Sequence, residues 1–392
     1  HNGTYKGTQG HTMQHLTSID LEQLAHPFDR PTPGDGTIVE SPTLAQYLGV
    51  RKVYIRDEGQ NPTGSLKDHM IAAAMTLGQA SGAQMYSAVS SGNHAFSLAT
   101  YAELLGKRAR IYVPSDSSKI PLLEKMDHVK TLKVERVAGV PAIYEEVYER
   151  CESRDPEAFN ANPSNDLIYD LVQAVSVDTA IKLGEDMPTH VLAPVGNGTY
   201  VGMVGHGFHE LERAGVIQKA PKMVGVGMKG ALPLEDCIEM SRNLYEYKEF
   251  GAPMEQIDAG EGSIAIGSYS MPHASNAIRE TTGFTLGGIT NNDITHAYQL
   301  LETDQDLVQQ GIIPEPTGIM ALAAAMKHKE QFHEEDVLML SFTGHAAKDP
   351  QELAKLFDDE YALIEAANNA RADLVPKNQS ETLILNGKVE KV

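Results

Sequence analysis

Cysteine is scarce in this chain: two in 392 residues, Cys151 and Cys237, far apart and neither in a C-x-x-C pair. That argues against a disulfide framework or a thiolate metal site and fits a cytoplasmic setting. Cations are also in short supply. Lys plus Arg number 32 against 53 Asp plus Glu, a formal charge of −21, and so acidic a surface repels nucleic acid. No apolar run approaches the length of a membrane span. The opening H-N-G-T-Y-K-G-T-Q-G-H has no charged-then-apolar secretion layout. Internal repeats and low-complexity tracts are absent too. What remains is an ordinary globular composition on a chain long enough for two domains.

After a polar, Pro- and Gly-rich arm to about residue 40, with one short helix signal at Ser18–Leu24, strand and helix signals alternate. Strands are expected at Val53–Ile55, Met85–Val89, Ala109–Val113, Leu132–Val137, His190–Val195, Met223–Val226 and Val337–Phe342. Helices are expected at Lys67–Ala80, Ala95–Leu105, Leu122–Met126, Ala142–Cys151, Leu167–Leu183 and Val201–Leu211. Such alternation with short connections predicts an α/β fold of two three-layer domains with mainly parallel sheets. The expected division is an arm at 1–40, a large domain from 41–83 plus 181–392, and a small inserted domain at 84–180. The Gly- and Ser-rich stretch Gln256–Ser270 reads as a long loop.

Four short segments carry chemistry. In N-P-T-G-S-L-K-D, Asn61–Asp68, a turn runs into a helix and places Ser65 and Lys67 at its start. The helix dipole there opposes the lysine's charge and favours the neutral amine that Schiff-base chemistry needs. S-S-G-N-H, Ser90–His94, joins a strand to a helix, the place where open α/β sheets bind ligands. P-V-G-N-G-T-Y, Pro194–Tyr200, follows the strongest strand and opens a helix, which makes a phosphate cradle. It lacks the lysine of a nucleotide loop and the spacing of a dinucleotide fingerprint. S-F-T-G-H-A-A-K-D-P, Ser341–Pro350, puts the hydroxyl of Thr343 at a strand end. Each segment alone is as well explained by an ordinary turn. His206 and His209, one helical turn apart, have no third partner and read as packing or surface residues, so no metal is expected.

Together and in this order, the four segments resemble the fold-type II pyridoxal 5′-phosphate (PLP) enzymes, the tryptophan synthase β-like family, and within it the threonine synthases. The likeness runs from about Ser41 to Pro350. It implies PLP as cofactor, with Lys67 as its Schiff-base lysine and the catalytic proton carrier. It further implies that Asn93 meets the phenolic oxygen of the cofactor, that Gly196, Asn197, Gly198 and Thr199 hold its phosphate, and that Thr343 faces its pyridine nitrogen. Ser65, Ser90, Ser91, Gly92 and His94 would line the pocket of a small amino-acid substrate. A homodimer is implied as well, with no nucleic-acid or membrane partner.

The pattern departs from that family at three places. His69 stands where an arginine follows K-D. S-S-G-N-H-A is similar to the threonine and serine dehydratases. N-A-N-P-S-N-D, Asn160–Asp166, lacks the arginine that helps bind the phosphate of O-phosphohomoserine. Lys119, in the segment P-S-D-S-S-K, is a candidate substitute. The leading expectation is a threonine synthase-like lyase acting on a small phosphorylated amino acid. A dehydratase-type ammonia-lyase and a β-replacing synthase on O-phosphoserine-like substrates are the alternatives, and a PLP-binding protein without turnover is the reading from outside enzymology.

Overall fold

A computed structural model describes residues 37–90, 92–114, 120–124, 126, 129–134, 158–163, 165, 167–168, 173–229, 271–348, 353 and 356–357. Among the described residues ten strands form two sheets. The larger contains β1 (Thr37–Glu40), β2 (Lys52–Asp57), β7 (His190–Pro194), β8 (Lys222–Met228), β9 (Phe284–Ile289) and β10 (Val337–Phe342), in the order β1-β2-β10-β7-β8-β9. Every neighbouring pair is parallel except β1 with β2. The smaller contains β3 (Met85–Val89), β4 (Arg108–Pro114), β5 (Val129–Val134) and β6 (Phe159–Asn160), in the order β5-β4-β3-β6, parallel throughout.

The central strands explain the layering. Every residue of β7 (H-V-L-A-P) and of β10 (V-L-M-L-S-F) is buried. A strand covered on both faces sends alternate side chains into different cores. Along β10, Val337 and Met339 join one hydrophobic cluster, whereas Leu338, Leu340 and Phe342 join the other. The first cluster continues through Met70, Leu98 and Phe208 on helices and into Tyr86 and Ile111 of the small sheet. The second continues through Ile294, Leu301 and Ile319 on the opposite side of the large sheet.

Helix α1 (Pro42–Leu48) lies between β1 and β2 in the chain. Helix α2 (Lys67–Ala80) carries M-I-A-A-A-M, fully buried, between the two sheets. Its Gly78 is required by close approach, because a Cβ there would lie 2.3 Å from the Tyr86 ring of β3. Helix α3 (Asn93–Leu104) follows β3, the short α4 (Ile120–Leu123) follows β4, and α5 (Ala174–Leu183) precedes β7. Helix α6 (Thr199–Arg213) follows β7. The helices α7 (Met271–Glu280), α8 (Asn291–Thr303), α9 (Gln305–Gln309) and α10 (Pro316–Lys327) come next, and α10 precedes β10. Pro316 at the first position of α10 has its φ preset for a helix and no N–H to leave unpaired.

Several boundaries differ from expectation. The helix placed at Leu122–Met126 is the single short turn α4, and the following strand starts at Val129 rather than Leu132. The segment placed as one helix over Leu167–Leu183 is described as helix only at 167–168 and from Ala174. Strands β1, β6 and β9, and helices α1 and α7 to α10, went unread. The signals at Ser18–Leu24, Ala142–Cys151 and Gln256–Ser270 lie outside the described residues.

Candidate active site

Strand order brings the chemistry together. Strands β2, β10 and β7 are parallel neighbours. Their C-terminal ends lead into the Lys67 loop, Thr343 and the 195–198 loop respectively. Parallel α/β sheets place ligands outside those ends. The Lys67 loop and the Thr343 loop are stitched directly. Leu66 N donates to Thr343 O at 3.0 Å, His345 N donates to Gly64 O at 2.9 Å, and Ser65 forms a β-bridge with Gly344. Lys67 is the first residue of its helix, as the sequence indicates, and its N–H reaches Ser65 Oγ at 3.4 Å.

Beneath the lysine loop lies a polar hub. The carboxylate of Glu58, fully buried, accepts from Arg56 Nε at 2.7 Å and Tyr200 Oη at 3.0 Å on one oxygen. The other oxygen is 2.7 Å from both His69 Nε2 and Asn61 Nδ2. Arg56 reaches on to Asp178 of α5 at 2.8 Å. Burial alone would raise the Glu58 pKa, but His69 and Arg56 hold it well below the usual carboxylate range. Burial also works against the charge on Arg56, yet Glu58, Tyr200 and Asp178 keep it protonated more firmly than usual. The hub joins the lysine loop (Asn61), the lysine helix (His69) and the helix of the glycine loop (Tyr200). His69 thus occupies a structural contact with Glu58.

The small sheet contributes the Ser90–His94 turn at the end of β3. Ser90 Oγ accepts from Gly92 N at 3.2 Å, and Ser91 lies outside the described residues. Asn93 opens α3 and points its amide at Glu315, with Nδ2 3.0 and 3.3 Å from the two carboxylate oxygens. His94 Nε2 donates to Ala161 O at 2.8 Å, which leaves Nδ1 as an acceptor. Burial, and then the charge of Lys67, push the His94 pKa down to about 3, so its ring is neutral and faces the same neighbourhood as the lysine. The Asp68 carboxylate, next to Lys67, accepts from Thr63 N at 2.7 Å, from Thr63 Oγ1, and from Ser97 Oγ of α3 at 2.6 Å.

The glycine loop suits a phosphate. Gly198 sits at φ 85°, a left-handed conformation that favours glycine. Asn197 Oδ1 accepts from Thr199 N at 3.0 Å and Thr199 Oγ1 at 2.7 Å, which shapes the turn. The N-cap residue of α6, Gly198, has no side chain to cap it, and the positive end of this 15-residue helix opens at the loop. His94 Nδ1, buried and without a hydrogen-bond partner among the described residues, is a further polar atom suited to a ligand. An amine, an amide, a hydroxyl and a glycine-rich helix start fit the aldehyde, the phenolic oxygen, the ring nitrogen and the phosphate of PLP. Lys67, Asn93, Thr343 and residues 196–199 would hold them in that order.

The sequence reading passed over two residues. Glu58 looks like one acidic residue among many in R-D-E-G-Q. Glu315 looks like a helix-start signal before Pro316. Glu315 meets both Asn93 and, at 3.5 Å, Thr343 Oγ1. Of the missing-arginine segment, Asn165 turns Nδ2 back to Asn160 O at 2.8 Å, and Asn162 Oδ1 accepts from Val89 N at 2.7 Å. Lys119 lies outside the described residues. Among the described residues no cluster of three His, Cys, Asp or Glu could hold a metal, and no helix is long and apolar enough to cross a membrane.

The chain is 26% identical over 313 residues to the threonine synthase of Methanocaldococcus jannaschii, covering 78% of this chain and 73% of that one. It is 24% identical over 326 residues to the threonine synthase of Mycobacterium leprae, covering 82% and 84%. In fold it matches the solved structure of a T.th. threonine deaminase with a TM-score of 0.62 at 19% identity, covering 84% of this chain and 98% of that one. Maize serine racemase matches with a TM-score of 0.65 at 17% identity, covering 84% and 94%. Residues 28–344 match the family described as pyridoxal-phosphate dependent enzyme, and the chain belongs to that family.

Proposed function

We propose that the chain is a threonine synthase-like lyase that removes a leaving group from a small phosphorylated amino acid such as O-phosphohomoserine. The observation behind this reading is the assembly of Lys67, Thr343 and the 195–198 loop at three adjacent parallel strand ends, with Asn93 and His94 facing them from the smaller sheet. PLP, when bound, withdraws electrons from the substrate's Cα and so eases proton loss there and departure of a group at Cβ or Cγ. Lys67 would hold the cofactor and carry protons at Cα and its neighbours. Gly196, Asn197, Gly198 and Thr199 would anchor the phosphate, and Asn93 the phenolic oxygen. Ser90, Ser91 and Gly92 would receive the substrate carboxylate, and Ser65 and His94 would line the same pocket. Thr343 offers the ring nitrogen a hydroxyl rather than a carboxylate, which favours elimination and replacement over transamination. Thr343→Asp should shift the product ratio toward transamination.

A second reading, a threonine or serine dehydratase, is favoured by two observations. The carboxylate turn reads S-S-G-N-H-A, and Asn165 commits its amide to Asn160 O at the place of the phosphate-binding arginine. Incubating the purified enzyme with O-phosphohomoserine, threonine, serine and O-phosphoserine separates the readings. Phosphate release with threonine formation supports the first. Keto-acid formation from threonine or serine supports the second, and a requirement for an added nucleophile points to a β-replacing synthase. Lys67→Ala should lower turnover by about 1000-fold or more in every case. Retention of full turnover by that variant would remove the proposal.

A further inference from the structure

Glu315 occupies the position just before α10 where a side chain normally caps its own helix. It does not: no side-chain cap bond is made, and Pro316 has no N–H to offer. The carboxylate instead reaches Asn93, 222 residues away on the helix that follows β3, at 3.0 and 3.3 Å. One of its oxygens also lies 3.5 Å from Thr343 Oγ1 at the end of β10. Its backbone is pinned in place, since Glu315 N donates to Gly344 O at 2.7 Å and Pro314 bridges to His345. Tyr298 Oη holds Pro314 O at 2.6 Å.

The geometry points to Glu315 as a positioning residue for the cofactor ring, one that orients the Asn93 amide beside Thr343. The inference rests on the cofactor contacts proposed above for those two residues. An asparagine amide has two N–H bonds. With one given to Glu315, the other is aimed by the carboxylate and left for the phenolic oxygen. The carboxylate also brings an anionic group to the region where the lysine link carries its proton. An opposite charge nearby favours the protonated form of such a group. The other titratable groups on the segments that meet here include Lys67, Asp68, His69, His94, Tyr298 and His345, of which Asp68 is held by Thr63 and Ser97, His69 by Glu58, and Tyr298 by Pro314 O. His94 is neutral, and His345 accepts from Ala347 N through Nδ1 at 3.0 Å, which fixes an unprotonated nitrogen.

The test uses the holoenzyme and follows its visible cofactor band against pH, with cofactor retention during dialysis as a second readout. Glu315→Gln keeps an acceptor for Asn93 and removes the charge. It should retain the cofactor while its band titrates at a pH lower by about one unit. Glu315→Ala removes the acceptor and should lose cofactor about tenfold faster. Glu315→Asp should recover part of both losses. Titration and retention equal to wild type in both Gln and Ala variants would overturn the role of Glu315 while leaving the cofactor contacts standing. A Lys67→Ala protein that still showed the wild-type band would overturn the cofactor reading and this inference with it.

Discussion

The large sheet and its junction with the small one hold the site by different physics. On the large-sheet side the lysine loop and the glycine loop share one buried carboxylate, Glu58, which binds two basic side chains, an amide and a phenol. At the junction, the Asn93 amide meets Glu315 and the Ser97 hydroxyl meets Asp68. In each case one neutral donor group meets one carboxylate. The first arrangement is costly to disturb, because removing one member strands the others in a low-dielectric interior. The second can be remade with little penalty. A site built this way has a fixed frame around Lys67 and the 195–198 loop, and a more adjustable wall at the Ser90–His94 turn, where substrate would sit on the proposed reading.

That contrast is open to breakage. Glu58→Ala leaves Arg56 and His69 without their buried anion and should cost about 3–5 kcal/mol in urea unfolding. A loss near 1 kcal/mol would mean that the hub is no firmer than the junction. Gly78→Ala tests the junction by volume. Its new methyl group would press on the Tyr86 ring, and a packed interface should lose about 1–3 kcal/mol. A junction loose enough to shift would lose much less.

Much of the frame was legible in the sequence because its signals are local. Lys67–Ala80, Met85–Val89 and Val337–Phe342 match the expected bounds, since helix period, β-rich runs and flanking glycines are written within a few residues. The four loops with their site residues stood out for the same reason. Glu58 and Glu315 did not, because their roles depend on partners brought near by folding. The Glu58 side chain is fully buried in a segment whose text reads as acidic surface, and Glu315 finds Asn93 across 222 residues. Strand β9, F-T-L-G-G-I, was missed because its two glycines look like a loop. It is held by parallel pairing with β8, a contact invisible in its own composition.

Acid sharpens the comparison from the junction side. The His94 pKa is pushed down to about 3 by burial and by Lys67, from an ordinary value of 6.5. Between those values the unfolded chain takes up a proton that the folded chain refuses, so stability falls as pH falls. One such proton contributes a slope of up to about 1.4 kcal/mol per pH unit. His94→Gln should flatten that part of the stability profile between about pH 6 and pH 4. An unchanged slope would show that His94 is not held neutral against Lys67.

The smallest expected effect bears on the contrast most directly. Ser97→Ala deletes one neutral donor to Asp68, whose carboxylate keeps Thr63 N and Thr63 Oγ1 as partners. The cost in unfolding should be about 1 kcal/mol, the usual worth of one such bond. Ser97 sits on the helix that begins with Asn93 and His94, while Asp68 follows Lys67, so this bond fixes how that helix lies against the lysine. If the junction is the adjustable wall, the variant should alter KM for the amino acid more than it alters cofactor retention. The reverse result, cofactor loss with KM unchanged, would move Ser97 into the fixed frame and erase the distinction between the two regions.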